Sequence, residues 1–512
     1  MKLFLINPGR DSKKGDFWDF SFEKRILGQS GLMPLFLPTI AAVTPEDVEI
    51  EIIDEKIEKI NFDAKVDIVG IGGMTSNINR AYAIADEFRK RGVKVAIGGI
   101  HASMMYEEAS LHADSVVIGE ADFLWRELME DFKSGALRKY YSYSEYPNIE
   151  EIPVPRNDLI KAKNYVINLI QTTRGCPFDC DFCSVKTFSG SHYRIKKVEQ
   201  TLNEIQSLAP TYDMNIFGYK LKSPKTLLFA DDNLIGNKAY AKKLFEALIP
   251  LKLNDWYCQC SINLGRDKEM IAMMKEAGCH SVIIGIESVM PETLQGMEKK
   301  INNVDEYSEC ISNIQSAGMK VMGSFILGSD SEDETIFEKT AKFIQDNNLV
   351  YTMINILTPL PGTKLYKRLD SEGRILHKNW EKYDFESVCF KPKKMSAKTL
   401  EEGRRWVCKE VFSLNNIQER YENFMNNKEI NEIRGFEETV KKMKMTDKVF
   451  SVLLLLKILT KVNGEQRRFF LKTIKKYLSG EETNFGNSFA IMSFNDYANN
   501  ISLSNNLKKA GV

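Results

Sequence analysis

The sequence predicts an α/β protein in three parts. A doubly wound parallel sheet spans residues 1–139, an incomplete (β/α)6 barrel spans 164–395, and a helical extension spans 396–512, with a linker at 140–163. Three observations predict this. Short apolar runs alternate with amphipathic helical patterns from residue 2 to about 358. A passage rich in Tyr, Pro and charge, including Ile152-Pro153-Val154-Pro155-Arg156, interrupts the alternation near residue 150 and suits a surface connector. Beyond residue 396 only helical patterns remain.

In the first third, residues 2–7, 48–54, 67–71, 93–98 and 115–119 read as buried strands, and 34–43, 77–91, 104–112 and 121–132 as helices. A doubly wound sheet binds ligands at the carboxyl ends of its strands. Those ends hold Gly72, Gly73, Met74, Thr75 and Ser76, then Gly98, Gly99 and His101, then Gly119 and Glu120. Glycine lets a ligand approach the backbone, and Thr or Ser can cap a helix. No G-x-G-x-x-G is present, so a dinucleotide fingerprint is missing. A plain flavodoxin-like domain whose glycines only make turns is the alternative.

In the barrel, residues 165–172, 226–230, 256–262, 281–286, 320–327 and 353–358 read as strands. Residues 198–208, 238–248, 268–276, 304–316 and 332–346 read as the helices between them. Six units suit an incomplete barrel better than the eight of a full one. The first strand leads into a loop with Cys176, Cys180 and Cys183 at C-x-x-x-C-x-x-C spacing, turned by Gly175 and Pro177. Iron–sulfur clusters normally take four thiolates, so three leave one iron open. A Cys₃His zinc site with His192 is the alternative. Disulfides are disfavoured, because nine cysteines is an odd number and the apolar start, residues 1–7, is too short for a signal peptide.

Later strand ends carry polar groups: Asp231, Asp232 and Asn233, then Glu287 and Ser288, then Gly328 followed by Ser329-Asp330. Asn233 can equally make an Asx turn that caps the next helix. A rigid turn at 357–363 follows the sixth strand. Cys258 and Cys260 share one strand face, and with Cys279, Cys310, Cys389 and Cys408 they are expected to bind no metal.

Residues 380–395 are turn-rich and expected to close the barrel's edge; helices are expected at 396–412, 447–462 and 464–477, and a loosely ordered end at 480–512. With 43% hydrophobic and 27% charged residues among 512, the chain can bury large cores. Lys plus Arg equals Asp plus Glu at 70 each, which gives no electrostatic reason to expect nucleic acid. No run approaches a membrane span, the apolar stretch 449–457 reading as a buried helix, and the expected compartment is the cytoplasm.

The cysteine stretch, with Phe182 before the third cysteine, resembles the radical S-adenosylmethionine (SAM) superfamily. Gly98-Gly99-Ile100-His101 and Val117-Ile118-Gly119-Glu120 resemble the cobalamin-binding domain ahead of many such barrels, as in class B radical methylases. The resemblance implies a 4Fe–4S cluster on Cys176, Cys180 and Cys183, its open iron chelated by SAM. It places Phe182, Asp231, Asp232, Asn233, Glu287, Ser288 and Gly328 around SAM. It places Gly72, Gly73, Met74, Thr75, Ser76, Gly98, Gly99, His101, Gly119 and Glu120 around cobalamin.

One departure stands out: Asn7-Pro8-Gly9-Arg10 occupies the place of the D-x-H-x-x-G whose histidine ligates cobalt in methionine-synthase-type domains. The implied activity is C-methylation at an unactivated carbon through a 5′-deoxyadenosyl radical and methylcobalamin. The substrate would be a small molecule, lipid or peptide, and an electron donor such as flavodoxin or ferredoxin would be needed. A radical SAM cyclase or oxidoreductase without methyl transfer is one alternative; a cobalamin-binding sensor with a structural zinc is another.

Overall fold

The computed structural model describes residues 1–10, 30–216, 219–253, 255–425, 462–478 and 494–496. Its first sheet runs β3-β1-β4-β5-β6-β7, with β1 at Lys2–Asn7, β3 at Glu49–Asp54, β4 at Ile68–Gly72, β5 at Lys94–Gly98, β6 at Ser115–Ile118 and β7 at Tyr140–Ser142. Every neighbouring pair is parallel. Period-2 alternation explains why both faces are covered. Phe4 and Ile6 pack into one apolar cluster, Leu3 and Leu5 into the other. The chain winds outward from β1 in both directions, so the crevice between the ends of β1 and β4 is the switch point where such sheets bind ligands.

Five strands were expected and six are present. The sixth, β7, lies in the stretch read as linker. Tyr141 is buried there with its hydroxyl on Asp131 (2.9 Å), so the aromatic residues that suggested a surface connector instead pack on the sheet's edge. The helix expected at 104–112 is Tyr106–His112, preceded by a further short helix, Ile100–Met104, and the one expected at 121–132 is a 3-10 turn, Ala121–Phe123, followed by Trp125–Ser134.

The second sheet has seven parallel strands in the order β17-β16-β15-β14-β13-β8-β2. Six are the expected ones: β8 at Tyr165–Ile170, β13 at Thr226–Phe229, β14 at Trp256–Cys260, β15 at Cys279–Glu287, β16 at Lys320–Leu327 and β17 at Tyr351–Ile356. The seventh, β2 at Ser30–Leu32, comes from the N-terminal part of the chain and pairs with β8. Three small-to-medium residues are too few for a legible period, and this strand interlocks the two sheets. A β-hairpin, Thr211–Ile216 with Tyr219–Pro224, also escaped the sequence reading.

Residues 363–390 connect the parts. Ile356 N–H donates to Phe385 O (2.7 Å) at the edge strand β17, as expected of a passage that closes the barrel's edge. The same segment sends Tyr366, Trp380 and Tyr383 into the apolar cluster of the first sheet. Gly362 (φ +86°) is where the turn after β17 meets Met104; an added Cβ there would lie 2.3 Å from the Met104 sulfur. Ser396 caps the helix Ala397–Val411, and Leu414–Met425 and Gly464–Leu478 follow. Most of the helix expected at 447–462, the apolar stretch 449–457 and nearly all of 480–512 lie outside the described residues. Among the described residues no helix is long and apolar enough to cross a membrane.

Tyr165, the first residue of β8, donates its hydroxyl to Asp54 at the end of β3 (2.8 Å). Burial raises the Asp54 carboxyl above its usual range, opposed by the Lys56 amide, Tyr165 and Asn7. Y165F should destabilise the protein by about 2 kcal/mol at neutral pH, since the lost bond favours the charged carboxylate. The penalty should shrink as pH falls and Asp54 takes up a proton. Denaturant unfolding at neutral and mildly acidic pH checks the sign.

Candidate functional site

The cysteine loop begins where β8 ends, and its entry is fixed by one buried oxygen. Asp231, after β13, is fully buried, and its Oδ1 accepts from Thr172 N (3.0 Å), Thr172 Oγ1 (2.8 Å), Thr173 Oγ1 (2.7 Å) and Thr173 N. Buried amides need such acceptors. Two residues, Thr173–Arg174 (β9), then pair antiparallel with Arg194–Ile195 (β10). Gly175 holds φ +90° beside His192 O, where an added Cβ would come within 2.3 Å. Further along, Asp181 N–H donates to Met297 O (3.1 Å), and Asp181 O accepts from Leu365 N–H (2.9 Å). The loop is thus anchored to the connections after β13, β15 and β17.

Within it, Cys176, Cys180 and Cys183 are all free thiols of intermediate exposure. Burial raises all three above the usual thiol range, Cys183 to about 12. Thiolates here therefore need nearby positive charge. Lys299 supplies some: it pairs with Glu287 (2.8 Å), and although burial opposes its charge, Glu287, Cys180 and Cys183 raise its pKa. A bound iron centre would supply more. The zinc alternative fares worse. His192 is exposed with Nδ1 on Ser191 Oγ (3.3 Å), and among the described residues no three His, Cys, Asp or Glu side chains converge on a single ion. The donor set present, three free cysteines on one anchored loop beside buried Lys299, is of the kind that holds an iron–sulfur centre.

The expected SAM contacts divide. Asp232 is raised to about 7 by burial and by the charge of Asp231, against a hydrogen bond from the Gly175 amide. Asn233 donates to Tyr193 Oη and Ser261 Oγ (both 3.2 Å), and Tyr193 hydrogen-bonds Cys176. These two remain beside the cysteines, and Phe182 packs on the barrel core. Asp231 organises the loop through its Oδ1. The Ser288 hydroxyl donates to buried Glu332 (2.9 Å). Gly328 donates its amide to the same Glu332 (2.8 Å), which shapes the turn there, and Glu287 is held by Lys299 at φ +64°.

At the carboxyl edge of the first sheet, Gly99 (φ +99°) lies against Gly73, where a Cβ would sit 2.6 Å from Gly73 O. Gly72 lies under the Phe36 ring, and Gly98 lies near Val117. Thr75 Oγ1 is 3.3 Å from His101 Nδ1, and Ser76 is bound by Arg10. The backbone segments approach closely here, and the Gly73–Gly99 contact leaves no room for a side chain on Gly99. Met74 stands out of this edge, 62% exposed. His101 is buried, its Nε2 toward Glu108 (3.5 Å) and its ring edge-on to Trp380, so it braces two loops and does not reach outward. Asn7, where the cobalt-binding motif would begin, is committed to Asp54 (2.9 Å). Both oxygens of Glu120 are engaged by Arg174 (2.8 Å) and Arg194.

Sequence reasoning missed Tyr193, Lys299, Arg194 and Trp380. Arg174 lay inside the cysteine motif, and Glu332 closes the glycine-bearing stretch after the fifth barrel strand.

Comparisons with known proteins agree with this geometry. Residues 170–344 match the Radical SAM superfamily, 39–128 the B12 binding domain, and 363–502 a domain of unknown function (DUF4070). The chain is 35% identical over 367 residues to the bacteriochlorophyllide d C-8(2)-methyltransferase of Chlorobaculum tepidum, covering 70% of this chain and 80% of that protein. It is 30% identical over 395 residues to the C-12(1)-methyltransferase of the same organism, covering 76% and 84%. The structure of the cobalamin-dependent SAM radical enzyme OxsB with aqua-cobalamin and SAM superposes with a TM-score of 0.60 at 13% identity, covering 98% of this chain and 84% of that one, a likeness of fold.

Asp231→Ala would leave two buried amides and two hydroxyls without their acceptor, at about 1–3 kcal/mol for each buried group. The variant should unfold well below wild type and hold little iron after anaerobic reconstitution, whereas Asp231→Asn, which keeps the Oδ1 acceptor, should hold more. Iron and sulfide analysis with thermal unfolding checks both.

Proposed function

This chain belongs to the radical SAM methyltransferases that carry a B12 binding domain, and we propose that it methylates an unactivated carbon of a small-molecule substrate. One observation carries the reading: Arg174, two residues before Cys176, pairs with Glu120 at the glycine-lined edge of the first sheet, which ties the cysteine loop to that edge. Two cofactors held at the loop and the edge would share one space.

The chemistry these groups supply when bound is reductive cleavage of SAM and delivery of a methyl group from cobalt. The chain's own part is placement. Cys176, Cys180 and Cys183 would hold the cluster, with Lys299 offsetting thiolate charge. Asp232 and Asn233 would receive the SAM ammonium, and Phe182 closes the loop against the barrel core. Gly72, Gly73, Gly98 and Gly99 would carry the corrin, with Thr75, Ser76 and Gly119 at its rim and Met74 the most exposed side chain near the switch point. His101 would support that rim from behind. An electron donor such as flavodoxin or ferredoxin would deliver the reducing equivalents. Nine free cysteines suit a reducing cytoplasmic compartment.

The test is anaerobic incubation of reconstituted protein with methyl-deuterated SAM, a low-potential reductant and an extract of small molecules. The proposal predicts both S-adenosylhomocysteine and 5′-deoxyadenosine, with the label in one extract component. Cys176→Ala should abolish 5′-deoxyadenosine while leaving bound cobalamin unchanged. Formation of 5′-deoxyadenosine alone would point to cyclisation or oxidation without methyl transfer, and zinc in place of iron would end the radical reading.

A further inference from the structure

We propose that Glu120 is a positioning residue that fixes the cysteine loop against the carboxyl edge of the first sheet, and so sets the separation of the two cofactors. The inference rests on the reading that both cofactors bind at those edges.

Glu120 follows Gly119, whose φ of +98° turns the chain away from β6. Its backbone is fixed on both sides: Gly119 N–H donates to Ser103 Oγ (2.9 Å) and Glu120 N–H to Tyr143 Oη (3.0 Å). A Cβ on Gly119 would lie 2.6 Å from that Tyr143 oxygen, so this backbone has no room to shift. The side chain then crosses to the barrel. Oε2 accepts from Arg174 Nη1 (2.8 Å) and Arg194 Nη1 (2.9 Å), and Oε1 accepts from Arg194 Nη2. Asp122 adds a second carboxylate on Arg174 (2.8 Å). Side-chain exposure is only 2% for Glu120, 7% for Asp122 and 13% for each arginine. Two buried guanidiniums thus meet two buried carboxylates.

The arginines are partners in the β9–β10 register, and Arg174 stands two residues before Cys176. One carboxylate therefore grips both strands of the ribbon that opens the cysteine loop. Arg194 also donates to Pro147 O (2.9 Å) and Ser189 O (3.0 Å) and lies over the Tyr146 ring (5.1 Å), so the segment between the sheets is gathered at the same point. Apolar residues could join two domains at no greater cost than a buried ion cluster. What a forked guanidinium–carboxylate contact adds is direction and register. That matters where a misplacement of about 1 Å can cost a factor of about 100 in rate.

The test uses full-length protein carrying both cofactors, and reads the enhanced relaxation of the cob(II)alamin electron-paramagnetic signal when the cluster is reduced. Glu120→Gln should bind cluster and cobalamin in wild-type amounts, yet lose at least half of that enhancement, and Glu120→Asp, which keeps the charge, should restore part of it. Should Glu120→Gln fail to fold, Asp122→Asn provides the reading, since it removes one carboxylate from Arg174 while leaving Glu120 in place; a smaller loss is expected. Unchanged enhancement at equal loading in the variant that folds would overturn the positioning role alone. Selective loss of cobalamin in Glu120→Gln would make Glu120 a cofactor contact and overturn it equally. No enhancement in doubly loaded wild type would overturn the shared reading of adjacent cofactors, and the proposal with it.

Discussion

A single carboxylate oxygen, Asp231 Oδ1, gathers two backbone amides and two hydroxyls from Thr172 and Thr173 at the point where β8 becomes the cysteine loop. Most of what is distinctive in the barrel depends on that contact. A loop whose first two residues are tied to the end of the neighbouring strand cannot turn freely. Gly175 then has to adopt a left-handed conformation, and Cys176, Cys180 and Cys183 follow on a path anchored again at Asp181. The core beneath is conventional: β13, β14 and β15 are packed by helices on their outer faces, and the Asp231 pair sits on that rigid floor.

The electrostatics of the site follow from the same placement. Bringing three thiols, Asp232, Glu287 and Asp181 into a half-buried space raises several of their pKa values, Asp232 to about 7 and Asp181 to about 6, in each case mainly through burial. Lys299 and the arginines around Glu120 are the protein's own compensation. At the carboxyl edge of the first sheet, Gly73 and Gly99 touch backbone to backbone, with no room for a side chain on Gly99.

Much of this was legible in the sequence, for identifiable reasons. A buried strand leaves an apolar run and a helix with one buried face leaves a 3.6-residue period, so β1, β16 and the helix 238–248 were found to the residue. The cysteines were found because ligand spacing within one loop is a local property. What escaped was non-local or too short for a period. Ser30–Leu32 becomes a strand only because β8 offers it an edge, and Tyr140–Ser142 because β6 does. The sequence did not show which polar residues at strand ends are also held by the protein itself. Asp231, Ser288 and Glu120 have partners, Thr173, Glu332 and Arg194, that are remote in sequence. Residue type and position at a strand end do not reveal whether a carboxylate turns inward or outward.

The central claim is that Cys176, Cys180 and Cys183, on a loop fixed by Asp231 and Asp181, would hold a cluster with one iron free of protein ligands. Mössbauer spectra of the anaerobically reconstituted protein, recorded with and without SAM, test it most directly. The account predicts a 4Fe–4S cluster in which a single iron site changes its isomer shift when SAM is added. Irons that do not respond to SAM, or a loop that takes up zinc and no cluster, would contradict it.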